Sequence, residues 1–121
     1  MKIQTSFDVG QQVIYQSIPY QVVVVYVQVR ASEVREEYLL ERALGPRVRV
    51  GADALCGAGP GFEHETLVDV GDKLHRGEVT ETIRRVWVSK SRQVLRESYT
   101  GWGSDGEPCM GSRRELEGRL V

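Results

Sequence analysis

The run from Tyr20 to Arg30 constrains this chain more than any other stretch of it: four consecutive valines, then Tyr26-Val27-Gln28-Val29. β-Branched and aromatic residues at this density favour an extended strand. One face carries Val23, Val25, Val27 and Val29. The other begins Val22, Val24, Tyr26 and turns polar at Gln28 and Arg30. A strand that is apolar on both faces for half its length must be covered on both sides. It therefore runs through a sandwich or barrel core, or meets a second subunit, and a homo-oligomer formed through Val22 to Val29 is expected.

Shorter signals surround it. Val13-Ile14-Tyr15 reads as a brief strand, which Pro19 is expected to end because proline donates no ladder hydrogen bond. Glu36 to Arg42 reads as a returning strand, and Arg47 to Val50 alternates with one polar face. Gly51 to Glu65, rich in glycine around Pro60, reads as a connecting loop. Val79 to Val88 is strand-like, but its apolar phase slips between Ile83 and Val86, which predicts a β-bulge at Arg84-Arg85. Val94 to Tyr99 is the partner strand, and Gly101 to Pro108 is a turn-rich loop with an Asp105-Gly106 signal. Ser112 with Glu115 forms a capping box ahead of Leu116 and Leu120, so a short C-terminal helix is expected. The fold expected is mainly β: an SH3-like barrel or a curved antiparallel sheet.

The order of elements recurs. Phe7-Asp8-Val9-Gly10 and Val68-Asp69-Val70-Gly71 each precede a long β-rich segment and then a tyrosine-containing strand. Residues 1–56 and 66–121 are thus candidate pseudo-repeats in one unit of 121 residues, a tandem duplication joined by the Gly-rich loop. Phe7-Asp8-Val9-Gly10-Gln11-Gln12-Val13 resembles the opening of small phage and mobile-element proteins with SH3-like or KOW-like barrels. Gln11 departs from the aspartate usual there, while Asp72 keeps it in the second half. The resemblance implies a binding module and, because fold does not carry function, no activity.

Charge is unevenly spread behind a formal net charge of −1. Gly51 to Asp72 holds five acidic residues and no lysine or arginine, whereas Lys73 to Arg96 holds seven basic residues against Glu78 and Glu81. Within the basic stretch, Arg84, Arg85, Lys90, Arg92 and Arg96 interleave with Trp87 and Tyr99. Guanidinium forks suit phosphates, and an aromatic plane can stack a nucleobase. These seven residues are the candidate ligand site. The bland alternative is a core tryptophan with arginines paired to glutamates across strands.

Other chemistries lack their motifs. His64 and His75 stand without the spacing of a metal site, so no metal is expected. Gly57 to Gly61 has no Gly-Lys-Ser/Thr and loses a donor at Pro60, which argues against a phosphate loop. No Gly-x-Ser-x-Gly occurs, and neither catalytic residues nor a cofactor are assigned. Cys56 and Cys109 read as reduced thiols. The longest apolar run is far short of the roughly 20 residues of a membrane span, and no signal peptide opens the chain. Together these features predict a cytoplasmic, non-enzymatic protein of a bacterial or phage-infected cell. Its basic β-surface would bind a phosphate-bearing small molecule, such as a nucleotide signal to be sequestered, or nucleic acid. The alternative is an adaptor for an acidic protein or an assembly.

Overall fold

The computed structural model describes residues 1–113. The strands are β1 Lys2–Gln4, β2 Gln12–Tyr15, β3 Ile18–Arg30, β4 Glu33–Glu41, β5 Val48–Gly51 and β6 Leu55–Cys56, then β7 Glu63–Glu65, β8 Lys73–Arg76, β9 Val79–Ser91, β10 Leu95–Gly103 and β11 Pro108–Ser112. The protein is mainly β and all its pairings are antiparallel. The central sheet runs β11-β10-β9-β3-β4-β5, with β8 beside β9, β2 beside the start of β3 and β6 beside β2. It stays open: among the described residues no closed barrel forms, which corrects the SH3-like barrel expectation. The capped C-terminal helix expected through Leu120 lies outside the described residues beyond Arg113.

The halves recur at a constant interval. Lys2 maps to Glu63, Gln12 to Lys73 and Ile18 to Val79, each 61 positions on. Both long strands have 13 residues. Turn hydrogen bonds repeat with the same interval: Gly10 N–H to the Val22 carbonyl at 2.9 Å, and Gly71 N–H to that of Ile83 at 2.7 Å. Gly10 and Gly71 have positive φ of 88° and 93°, which explains the glycine at the end of each Asp-Val-Gly. Ladders between the halves are centred on twin residues, Val27 opposite Val88 in β3–β9 and Ile3 opposite His64 in β1–β7. A pseudo-twofold axis therefore passes through both ladders. The second unit begins at Glu63, so the segment expected as a connector from Gly51 to Glu65 instead holds β6, β7 and the 3-10 turn Ala52–Ala54.

Two register details decide where side chains point. Val23 and its twin Arg84 are each the extra residue of a bulge, since Val22 and Val24 pair with Leu40 and Leu39, and Ile83 and Arg85 pair with Gly101 and Thr100. Past each bulge the phase inverts, so Val25, Val27 and Val29, like Val86 and Val88, turn inward. Pro19, expected to end a strand, lies within β3 opposite Ile14. In this hairpin, closed by Gln16 and Ser17 at φ 51° and 66°, that position's N–H points away from β2, so the missing donor costs no β2–β3 bond. Its twin Thr80 shows the direction, donating its N–H to Ser104 Oγ at 3.0 Å.

One face of the sheet is the core. Val25, Tyr38, Leu40, Ile83, Val86, Val88 and Tyr99 are buried there, and the β1–β7 ladder covers them with Ile3, Phe7, Phe62 and Val68. β3 is hydrogen-bonded on both sides, by β4 and β9, so it offers no free edge to a second subunit. Tyr38 also ties down the cover: its hydroxyl accepts the N–H groups of Ser6 and Phe7, both at 3.2 Å, and donates to Glu36 at 3.3 Å. Tyr38→Phe keeps the ring but strands two backbone donors. It should cost about 1–3 kcal/mol in denaturant unfolding; an unchanged midpoint would show that water replaces the hydroxyl.

Candidate ligand groove

The other sheet face is left open to solvent, and the register fixes what stands on it. Successive residues alternate across a strand, so Tyr26 and Gln28 of β3 point out beside Trp87 and Ser89 of β9. Two rows cross the face: Arg96–Ser89–Tyr26–Glu37 and Arg35–Gln28–Trp87–Ser98. Each row is the pseudo-twofold image of the other. Within a row the arginine and the aromatic stand two strands apart, roughly 10 Å between backbones. Tyr26 and Trp87 are diagonal neighbours across the axis, with about 7–8 Å between backbone positions. All eight residues line an open groove of about 1330 Å³.

The two half-sites are built differently. The Arg49 guanidinium lies 4.0 Å from the Tyr26 ring centroid and holds Glu37 with its Nε at 2.6 Å, so one ring face is covered by a cation. Met110 is the twin of Arg49 and is 74% exposed. Trp87, 36% exposed, has no stacked cation among the described residues. Arg35 reaches Glu33 at 3.1 Å in an exposed pair, which holds it only weakly. Arg96 and Arg85 have no carboxylate partner within ion-pair distance among the described residues.

Part of the groove lining belongs to a buried carboxylate. Glu97 accepts hydrogen bonds from the Leu67 N–H at 2.8 Å and Arg113 Nη1 at 3.1 Å, and lies 2.7 Å from His64 Nε2. Its side chain is 2% exposed. Charge neutralisation by Arg113 and a full set of partners make this burial tolerable. Its twin Glu36 lies nearer solvent, on the Ser6 and Tyr38 hydroxyls. His64, considered above as a metal ligand, is thus a hydrogen-bond partner of Glu97.

Of the seven residues singled out from the sequence, Trp87, Arg96 and Tyr99 line the groove. Tyr99 does so from within the core, at 1% exposure. Arg85 is on the outer face, two residues before Trp87 and opposite Thr100. Arg84, the bulge residue, borders a separate shallow depression with Arg30, Asp69 and Gly71. Arg92 is in the β9–β10 turn. Lys90 turns inward, where its Nζ bonds both Asp8 oxygens at 2.8 and 3.1 Å and lies 4.6 Å from the Phe62 ring centroid. It clamps the Asp8 turn to the sheet. Tyr26, Arg35 and Arg49 are groove residues that the charge pattern of the sequence does not single out. The interval from Asp8 to Tyr26 equals that from Asp69 to Trp87, and this is the signal that points to the first of them.

The cysteines differ in chemistry. Cys56 is exposed. Burial, and then the hydrogen bond and charge of Glu81, push the Cys109 thiol from 9.0 up to about 11. The folded protein therefore holds this proton longer than the unfolded chain does. Stability from the group is intact below about pH 8.5 and falls as pH rises toward 11. Near pH 8, iodoacetamide should label Cys56 and spare Cys109 until denaturant is added. Equal labelling of both in the folded protein would show the surroundings of Cys109 to be open.

Comparison with protein families, with curated proteins and with solved structures finds no match to this chain. No helix among the described residues is long and apolar enough to cross a membrane.

Proposed function

We propose that this is a non-enzymatic binding protein, a tandem duplication of one β-unit, whose outer sheet face takes a phosphate-bearing ligand such as a nucleotide. The observation that carries the reading is the recurrence of Arg35-Glu36-x-Tyr38 as Arg96-Glu97-x-Tyr99. Glu and Tyr at these positions have structural work on the core side. The arginines point outward, where packing gives no reason for the same residue twice, and each shares a row with an aromatic ring. Exposed guanidinium groups beside stacking planes are what phosphate and base require. Sequestering a nucleotide signal is the role that fits a small protein of this kind.

A second reading has its own observation. Trp102 and Met110, 52% and 74% exposed, stand on β10 and on the edge strand β11, a surface suited to a protein partner. Charge reversal separates the two. Arg85→Glu combined with Arg96→Glu should leave the circular dichroism spectrum and unfolding midpoint nearly unchanged, because exposed arginines contribute little to stability. The same variant should weaken ATP binding at least tenfold. Wild-type ATP affinity in the folded double variant would remove the outer face as a phosphate site.

A further inference from the structure

The symmetry of the groove says more about its ligand than the charge does. Each half-site offers one aromatic plane and one outward arginine, and the axis between them passes through Val27 and Val88 beneath the groove floor. The Tyr26 and Trp87 rings make no contact with each other among the described residues, so each can take a stacking partner of its own. Arg49 occupies one face of Tyr26. Arg35 and Arg96 stand at opposite ends of the two rows, three strands apart, and an arginine side chain is long enough to span the neighbouring Gln28 or Ser89. At about 1330 Å³ the groove exceeds the roughly 300–1,000 Å³ usual for one drug-sized ligand.

We infer that the ligand is a cyclic dinucleotide, lying with its own twofold along the pseudo-twofold axis, one base stacked on Tyr26, the other on Trp87, and its two phosphates on Arg96 and Arg35. This assignment rests on the phosphate-ligand reading above and narrows it. Gln28 and Ser89, the polar residues between arginine and aromatic in each row, stand under the ribose-phosphate ring. A closed ring suits the site better than a linear dinucleotide. It presents two equivalent base-and-phosphate arms without further ordering on binding. The unlike twins, Tyr26 with Trp87 and Glu37 with Ser98, allow the two bases to differ.

Calorimetric titration of the full chain with cyclic di-AMP, cyclic di-GMP, linear pApA, AMP and GMP at one salt concentration tests it. At least one cyclic dinucleotide should bind one per chain, at least tenfold more tightly than pApA or its own mononucleotide. Tyr26→Ala and Trp87→Ala should each weaken that binding by about tenfold or more, since one stacked base is worth about 1–3 kcal/mol. Both residues point to solvent, and an unchanged circular dichroism spectrum confirms that the variants fold. If AMP, GMP or pApA binds as tightly as the cyclic forms, the twofold assignment is wrong and the phosphate-ligand reading stands. The same holds if an oligoadenylate binds and the cyclic dinucleotides do not. If none of these probes binds, and ATP does not either, both fall.

Discussion

Val27→Asp is expected to leave no folded protein at room temperature. Val27 is 2% exposed and sits at the centre of the ladder joining the halves, opposite Val88 on one side and Glu36 on the other. Among the described residues the cations on this side of the sheet are already engaged, Lys90 by Asp8 and Arg113 by Glu97. An aspartate there either buries a charge beside a carboxylate or takes up a proton and leaves polar oxygens without partners. Either costs on the order of 4–5 kcal/mol or more, against a total stability of about 5–15 kcal/mol for a domain of this kind. Gln28→Asp, one residue on, points into the groove and should fold normally. A folded, cooperative Val27→Asp protein would mean that the two halves do not share this core.

Removing the Trp87 ring should have the largest effect on binding of any single change on the outer face. The indole is the broadest stacking surface of the groove and, unlike Tyr26, has no guanidinium resting on it. Trp87→Ala should weaken nucleotide binding roughly 5- to 150-fold, the value of one base stacked on an aromatic. The variant should lose some stability, since the ring is 36% exposed and otherwise packed on the sheet, but should keep the wild-type circular dichroism spectrum. Trp102→Ala, on the same face but outside the groove lining, is the matched control and should bind like the wild type. A reversed ranking, with Trp102 dominant, would move the site to the β10–β11 edge and favour a protein partner.

Much of the architecture is written in local pattern. The β3 run, the alternation of Arg47 to Val50 and the phase slip at Arg84 each have one physical cause within a few residues, and each appears in the structure as a strand or a bulge. What escapes such a reading depends on distant partners. Glu63-His64-Glu65 has no apolar alternation, and becomes β7 only because β1, some 60 residues earlier, supplies its ladder. Lys73 to Arg76 is equally polar and is held by β9. The site is half legible for the same reason. Counting charges along Lys73 to Arg96 places Lys90 with the arginines, but the bulge inverts the strand phase and aims it at Asp8. Tyr26 reads as core because its neighbours are valines. Only pairing with Ser89 and Glu37 puts it on the same face as Trp87.

Trp87 and its surroundings, as a nucleotide site, should report ligand binding directly through the indole. The most direct test is the fluorescence of the Trp102→Phe variant, in which Trp87 is the only tryptophan left of the two in the chain. Titration with ATP and with cyclic di-AMP and cyclic di-GMP should quench or shift the Trp87 emission saturably, and the change should weaken as salt is raised. Emission that stays constant across the whole series would contradict the account, because no base could then be stacking at the centre of the groove.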